Sequence, residues 1–213
     1  MPTIVLIDYG AGNIPSVERA LEVALRDTGL SFDVQVTDRP EHVLAADRIV
    51  IPGVGHFRDC RDGLFKPDGM IDALNEACRT KARPTLGICV GMQLMADIGL
   101  EDGKTEGLGW IPGKVDAIPT SAGLPIPHMG WNELIVHSNH PVLDGIEDGD
   151  HAYFVHSYHY RPESSSDLLL TTDYGGTITA AIGRDTLVGS QFHPEISQAT
   201  GLRLLKNWIS WNP

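Results

Sequence analysis

Short β-branched apolar runs alternate with segments of helical periodicity through the first half of this chain, and that alternation restricts its fold most. Ile4-Val5-Leu6-Ile7 has the length and composition of a strand buried on both faces. A loop, Asp8-Tyr9-Gly10-Ala11-Gly12-Asn13, follows it. Val17, Ala20, Leu21, Ala24 and Leu25 then recur at three- and four-residue spacing, a helix that Ser16 can cap. Residues 32–36 alternate as a second strand, and Ile49-Val50-Ile51 forms a third, stopped by Pro52-Gly53-Val54-Gly55. Residues 70–82 read as a helix with Ile71, Leu74, Ala77 and Cys78 on one face. Residues 85–88 read as a strand and residues 91–98 as a helix. Such alternation predicts an α/β fold with a mostly parallel central sheet and helices on both faces.

The second half reads differently. Gly and Pro recur from residue 107 to 130. Short strands are expected at 115–118, 133–136, 153–155, 168–172, 178–182 and 187–191, as antiparallel additions to the sheet. Residues 201–208 suggest a closing helix with Leu202, Leu205 and Ile209 inward. No repeat, low-complexity tract or linker interrupts the chain, so residues 1–213 are expected to form one domain.

Charge and cysteine content narrow the function classes. With 16 Lys and Arg against 28 Asp and Glu, the net charge of −12 opposes nucleic-acid and anionic-membrane binding. Neither a leader nor a membrane span is visible. Three unevenly spaced cysteines, Cys60, Cys78 and Cys89, do not form a disulfide framework and suit a reducing cytoplasm. Cys60 falls in a charged loop and Cys78 on a helix face, and neither suggests chemistry.

Cys89 does. Gly87-Ile88-Cys89-Val90-Gly91 lies between a strand and a helix, the arrangement of a nucleophile elbow that lifts a reactive side chain above the sheet edge. The helix N-terminus would favour thiolate, and the Val90 N–H would be one oxyanion donor. A small buried core cysteine is the plain alternative. A thiol nucleophile needs a base and the base an orienting group. Gln191-Phe192-His193-Pro194-Glu195 supplies both, with His193 ending a strand and Glu195 two residues on. Pro52-Gly53-Val54-Gly55 would sit at the same sheet edge, where its backbone could offer a second donor; it is otherwise a plain turn, and no Lys-Ser/Thr follows to make it a phosphate loop. His151, His156 and His159, and the pair His137 and His140, lack the spacing of a metal site, so neither metal nor cofactor is expected.

These three motifs resemble those of the class I (triad) glutamine amidotransferases. Asp8 to Asn13, Pro127-His128-Met129-Gly130-Trp131-Asn132 and Tyr153-Phe154-Val155-His156-Ser157-Tyr158 narrow the resemblance to the family's glutaminase subunits of imidazole glycerol phosphate synthase. The resemblance covers essentially the whole chain. It implies that Cys89 attacks the amide carbon of glutamine while His193, oriented by Glu195, moves the protons. It implies an oxyanion hole from Val90 and from Val54 or Gly55, after a backbone rearrangement at Val54. Substrate contacts would come from Gln93, Glu101, Ser157, Tyr158 and Gly53. Asn13, His128, Trp131, Asn132 and Tyr153 would face or gate a partner, a (β/α)₈-barrel cyclase that receives ammonia. The chain departs from the family at Ile196, where Lys is common, at Val90, where Leu is common, and at Trp110, usually aliphatic. Service to another cyclase or synthase, a non-catalytic subunit and a general cysteine peptidase or esterase are the rival readings.

Overall fold

The computed structural model describes residues 1–119 and 123–213. Residues 120–122, in the expected Gly- and Pro-rich stretch, lie outside the described residues. An eight-stranded sheet forms the centre, in the order β2-β1-β3-β4-β14-β13-β12-β9. Its first five members are β2 (Asp33–Thr37), β1 (Thr3–Ile7), β3 (Arg48–Ile51), β4 (Thr85–Ile88) and β14 (Leu187–Ser190), all mutually parallel. β13 (Thr177–Arg184), β12 (Leu168–Asp173) and β9 (Ile135–Val136) extend it antiparallel, as expected, but residues 187–191, expected as a further antiparallel addition, form β14, which turns back tightly from β13 and so runs parallel to its other neighbour, β4. β3 and β4 are buried along their whole length, which requires cover on both faces. Helices α1 (Ile14–Thr28) and α6 (Gln198–Ser210) pack together as one layer. α2 (Pro40–Ala45), α3 (Phe57–Phe65) and α4 (Met70–Asn75) pack together as the other. Buried apolar side chains from Ile4 to Trp211 form one connected core.

Not every antiparallel strand joins this sheet. β11 (Tyr158–Pro162), β7 (Gly113–Ala117), β5 (Ile98–Gly99) and β6 (Thr105–Glu106) form a second, four-stranded sheet. Among the described residues, β8 (His128–Glu133) and β10 (His151–His156) pair only with each other. Local patterning gives a strand's faces but not its partner, so this partition was not legible.

Several boundaries also moved. Ser16 does not cap α1: Asn13 occupies the N-cap and Ser16 lies inside the first turn, its N–H bonded to the Asn13 carbonyl at 3.1 Å. The helix expected at 70–82 becomes α4 followed by a π-helical turn, Glu76–Thr80. Trp110 packs beside this junction, buried, and donates its indole N–H to Asn75 Oδ1 at 2.9 Å, which gives the unusual aromatic a structural place. Cys60 is buried on α3, not in a loop. In α6 the inward residue is Leu204 and not Leu202. No helix among the described residues is long and apolar enough to cross a membrane.

Arg48 joins the sheet to the end of the chain. Its guanidinium is buried beneath Trp208 and donates to the carbonyls of Trp208 (3.2 Å) and Trp211 (2.6 Å). A cation at a helix C-terminus satisfies carbonyls that the helix cannot. Replacing Arg48 with Leu is therefore expected to cost about 2–4 kcal/mol of unfolding free energy, measured by urea denaturation; a change within about 0.5 kcal/mol would show that the contact is incidental.

Candidate functional site

Three consecutive strands, β3, β4 and β14, carry the three motifs at their carboxyl ends. Because the strands are parallel and adjacent, the Pro52–Gly55 loop, Cys89 and His193 emerge on one edge. The strand order reverses between β1 and β3, so the loop after β1 meets the loop after β3 at the same edge.

Cys89 has φ 53° and ψ −111°, a backbone conformation that costs an L-residue roughly 1–3 kcal/mol. Two hydrogen bonds hold it: Cys89 N–H to the Ser190 carbonyl (2.7 Å) and Gln93 N–H to the Cys89 carbonyl (3.1 Å). The flanking glycines admit the tight turn. A Cβ on Gly91 would lie 1.8 Å from the Ile51 carbonyl oxygen, and one on Gly87 would lie 2.6 Å from the Met92 nitrogen. The helix that follows, α5 (Val90–Gln93), is only four residues long, because residues 98–99 leave to pair in the second sheet. The dipole expected to favour thiolate is correspondingly small.

Side chains set the electrostatics beside the sulfur. Burial alone would push His193 down, but hydrogen bonding and attraction to Cys89 and Glu195 outweigh it and hold the imidazole up at about 10. Its Nδ1 lies 2.8 Å from Glu195 Oε1, leaving Nε2 for the sulfur side. His193 thus holds its second proton beside the Cys89 sulfur. Gln191 adds a donor, Nε2 to Cys89 Sγ at 3.5 Å, and accepts from Gln93 Nε2 at 3.0 Å. No role was assigned to Gln191 from sequence; its place two residues before His193 on the same edge was the available signal.

A cavity of about 260 Å³ opens over the sulfur. Cys89, His193, Val90, Val54, Gly55, Gln93, Glu101, Ser157 and Tyr158 line it. Pro127, Val155 and His156 also line it and were not anticipated. Glu195 stands behind His193, and Gly53 is buried beneath the loop. Gln93 spends amide hydrogens on the Tyr158 carbonyl and Gln191, so its own carbonyl is the group left to meet a ligand. Glu101 accepts the Phe57 N–H at 2.7 Å and lies 3.1 Å from His56 Nδ1, so it also caps α3. The Val90 N–H is not free. It points at the Gly53 carbonyl at 3.3 Å. A trans peptide carries C=O and N–H on opposite sides, so the Val54 N–H turns away from the sulfur.

The residues expected to face a partner divide. Asn13, Trp131 and Tyr153 stand at the surface or partly so, with Trp131 edge-on to Tyr153 at 5.9 Å. His128 is buried and Asn132 turns inward with it, because alternate residues of β8 face opposite ways. His128, expected to face or gate a partner, is buried and does not itself reach the surface; its ring is stacked with Phe154 and Tyr174. Burial pushes His128 down to about 4 and His156 to about 3, so both are neutral. Hydrogen bonds run from Asn132 to His128 (3.2 Å), His128 to His156 (3.0 Å) and His156 to the Tyr158 carbonyl (2.8 Å). His137 and His140 have polar neighbours of their own in Thr171 and the Val142 N–H. Among the described residues no three His, Cys, Asp or Glu side chains converge as a metal would need.

The profile of the glutamine amidotransferase class-I family matches residues 5–210. The chain belongs to that family. It is 56% identical over 99% of both chains to a protein of Rhodospirillum rubrum named imidazole glycerol phosphate synthase subunit HisH. Relatives of the same name in Brucella abortus (52% identical, 99% of both chains) and Cereibacter sphaeroides (54%, 98% of this chain and 99% of the other) match along their length. The fold is shared with a crystal structure of a glutamine amidotransferase (TM-score 0.71, 17% identity, 97% of both chains). A Thermotoga maritima glutamine amidotransferase shares it too (TM-score 0.61, 18% identity, 98% of this chain and 81% of the other).

Removing the Glu195 charge tests the electrostatics. Glu195→Gln should lower the His193 titration midpoint from about 10, read by NMR. A raised histidine stabilises fully below its unfolded value near 6.5 and loses that contribution as pH rises through its folded value. The stability advantage of the wild type over Glu195→Gln should therefore be largest below about pH 6.5 and fade towards about pH 10. An unchanged midpoint would remove Glu195 from the assembly.

Proposed function

We propose that this chain, as a single glutamine amidotransferase domain over residues 1–213, hydrolyses glutamine and passes the ammonia to a cyclase subunit of imidazole glycerol phosphate synthase, in histidine biosynthesis. One observation carries the reading: a strained cysteine, a histidine raised by that cysteine and a carboxylate, and an open cavity meet at one sheet edge. Full-length identity to the HisH subunits supports the choice of synthase.

The Cys89 thiolate attacks the side-chain carbonyl carbon of glutamine. The oxyanion forms against the Val90 N–H and a second N–H from Val54 or Gly55. The His193 imidazolium gives its proton to the leaving nitrogen, ammonia departs, and a glutamyl thioester remains. His193, now neutral, takes a proton from water, which attacks the thioester; thiolate leaves and glutamate is released. Glu195 holds the imidazole throughout. Gln93, Glu101, Ser157, Tyr158 and the Gly53 backbone hold the substrate.

The second donor requires a rotation of the Gly53–Val54 peptide. With the Gly53 carbonyl on the Val90 N–H, neither donor faces the sulfur. Half a turn of that one peptide releases the first and delivers the second. Losing one such donor costs about 10²–10³ in rate, so the resting enzyme is slow. Coupling that rotation to the partner prevents glutamine from being wasted. Exposed Met129, Trp131 and Ile196 lie on or beside the elements that hold Tyr153 and His193, a surface suited to the cyclase. A (β/α)₈ barrel is the partner's expected fold, and Ile196 removes the ion pair that Lys would form there. Ammonia needs an enclosed path, because in neutral water it becomes non-nucleophilic ammonium. Its acceptor is a phosphorylated ribonucleotide precursor, and the products are imidazole glycerol phosphate and aminoimidazole-carboxamide ribonucleotide.

Cys89→Ala is expected to abolish glutamine-dependent synthesis in the complex and to leave synthesis from added ammonium salts intact. Loss of both activities together would sink the donor role. The chain alone should release glutamate slowly, by about 10²-fold or more below the complex with its ligand; a comparable rate without the partner would contradict the gating.

A further inference from the structure

The Gly53–Val54 peptide is bracketed by two side-chain hydrogen bonds that the chemistry above does not use. On its N-terminal side the Tyr9 hydroxyl, just beyond β1, donates to the Pro52 carbonyl. On its C-terminal side the Cys60 thiol, on α3, donates to the Val54 carbonyl at 3.3 Å. Both side chains are buried, and the hydroxyl and thiol lie within reach of each other. Building on the glutaminase reading, we propose that Tyr9 and Cys60 are positioning residues that pin the peptides flanking Gly53–Val54 and so confine the oxyanion-forming rotation to that single peptide.

The geometry favours this over simple space filling. The two pinned carbonyls belong to the residues immediately before Gly53 and at Val54 itself, one on each side of the peptide that must turn. Fixing both ends leaves the ψ of Gly53 and the φ of Val54 as the torsions free to change. The Val54 N–H then swings about a fixed axis and arrives where the Gly53 carbonyl had been, over the sulfur. Tyr9 also stands against the hinge: a Cβ on Gly53 would lie 2.8 Å from its hydroxyl and 2.7 Å from the Gly91 nitrogen. Both donors keep their protons through the neutral range. Burial pushes the Cys60 thiol up to about 12 and raises Tyr9 well above its ordinary value. The pins come from the loop just after β1 and from α3, and both Tyr9 and Cys60 belong to the buried core. The loop between them is thereby given two stops instead of many conformations, which electrostatic preorganisation of a donor requires.

Tyr9→Phe and Cys60→Ala remove a proton donor with little change of shape, and Cys60→Ser restores one. The experiment measures kcat and KM for glutamine hydrolysis by the complex with the cyclase and its ligand, alongside ammonium-dependent synthesis and thermal melting. Tyr9→Phe and Cys60→Ala are each expected to lower kcat by about 5–50-fold, part of the 10²–10³ that a whole donor carries. KM should stay within about twofold and ammonium-dependent synthesis should hold. Cys60→Ser should return to within about threefold of the wild type. Unchanged kcat in Tyr9→Phe and Cys60→Ala, a loss expressed in KM, or Cys60→Ser as slow as Cys60→Ala would each overturn the clamp. If Cys60→Ala melts early, the Tyr9→Phe result decides, since it keeps the ring. A wild-type complex that releases no glutamate would instead overturn the glutaminase reading, and the clamp with it.

Discussion

The first turn of α5, just after β4, approaches the end of β3 so closely that residue 91 has no room for a side chain beside the Ile51 carbonyl. The rest of the site depends on that contact. It forces the chain leaving β4 into the tight turn that holds Cys89 at positive φ, above the sheet edge. It also brings the backbone of the Pro52–Gly55 loop against the first turn of α5, which is why the Gly53 carbonyl can reach the Val90 N–H. β14 lies on the other side of β4, and its end supplies Gln191 and His193 to the same point. Adjacent strands are about 4.8 Å apart, so three parallel neighbours bring nucleophile, base and loop within one substrate's width.

Electrostatics then follow from geometry. A four-residue helix contributes little dipole, and the sulfur lies among His193, Gln191 and the Val90 backbone. His193 is in turn tied to the antiparallel β8–β10 pair. Its N–H bonds the Tyr153 carbonyl at 3.0 Å, and Ser197 Oγ bridges the His193 carbonyl (2.7 Å) and the Tyr153 N–H (3.0 Å). The pair carries the exposed Trp131 on β8. Any partner that settles on Trp131 therefore presses on the strand paired with β10, which is bonded directly to His193. Rigid elements hold Cys89 and His193, and the proposed rotation is confined to the peptide at 53–54.

Much of this was legible in the sequence because short-range chemistry dictated it. β-branched runs at residues 4–7, 49–51 and 85–88 became central strands because nothing but a doubly covered sheet could bury them. Glycines around Cys89 marked the turn, and the His193-Pro194-Glu195 spacing put the carboxylate on the imidazole. What escaped depended on tertiary partners. β7, β5 and β11 left the main sheet for one of their own, which shortened the helix after Cys89. Period-two alternation in β8 separated His128 and Asn132 from Trp131, although all three share one motif. Cys60 looked idle in a charged segment because its contact to Val54 exists only when α3 forms and packs.

The central claim is that Cys89 reacts beneath a donor that must turn into place. The most direct measurement is a crystal structure of the complex in which a thiol-alkylating glutamine analogue has reacted. The account predicts a bond to Cys89 Sγ, with the analogue's carbonyl oxygen within hydrogen-bond distance of both the Val90 and Val54 nitrogens and the Gly53 carbonyl turned away. An adduct on another residue, or one on Cys89 with the Gly53 carbonyl still on the Val90 N–H, would contradict it.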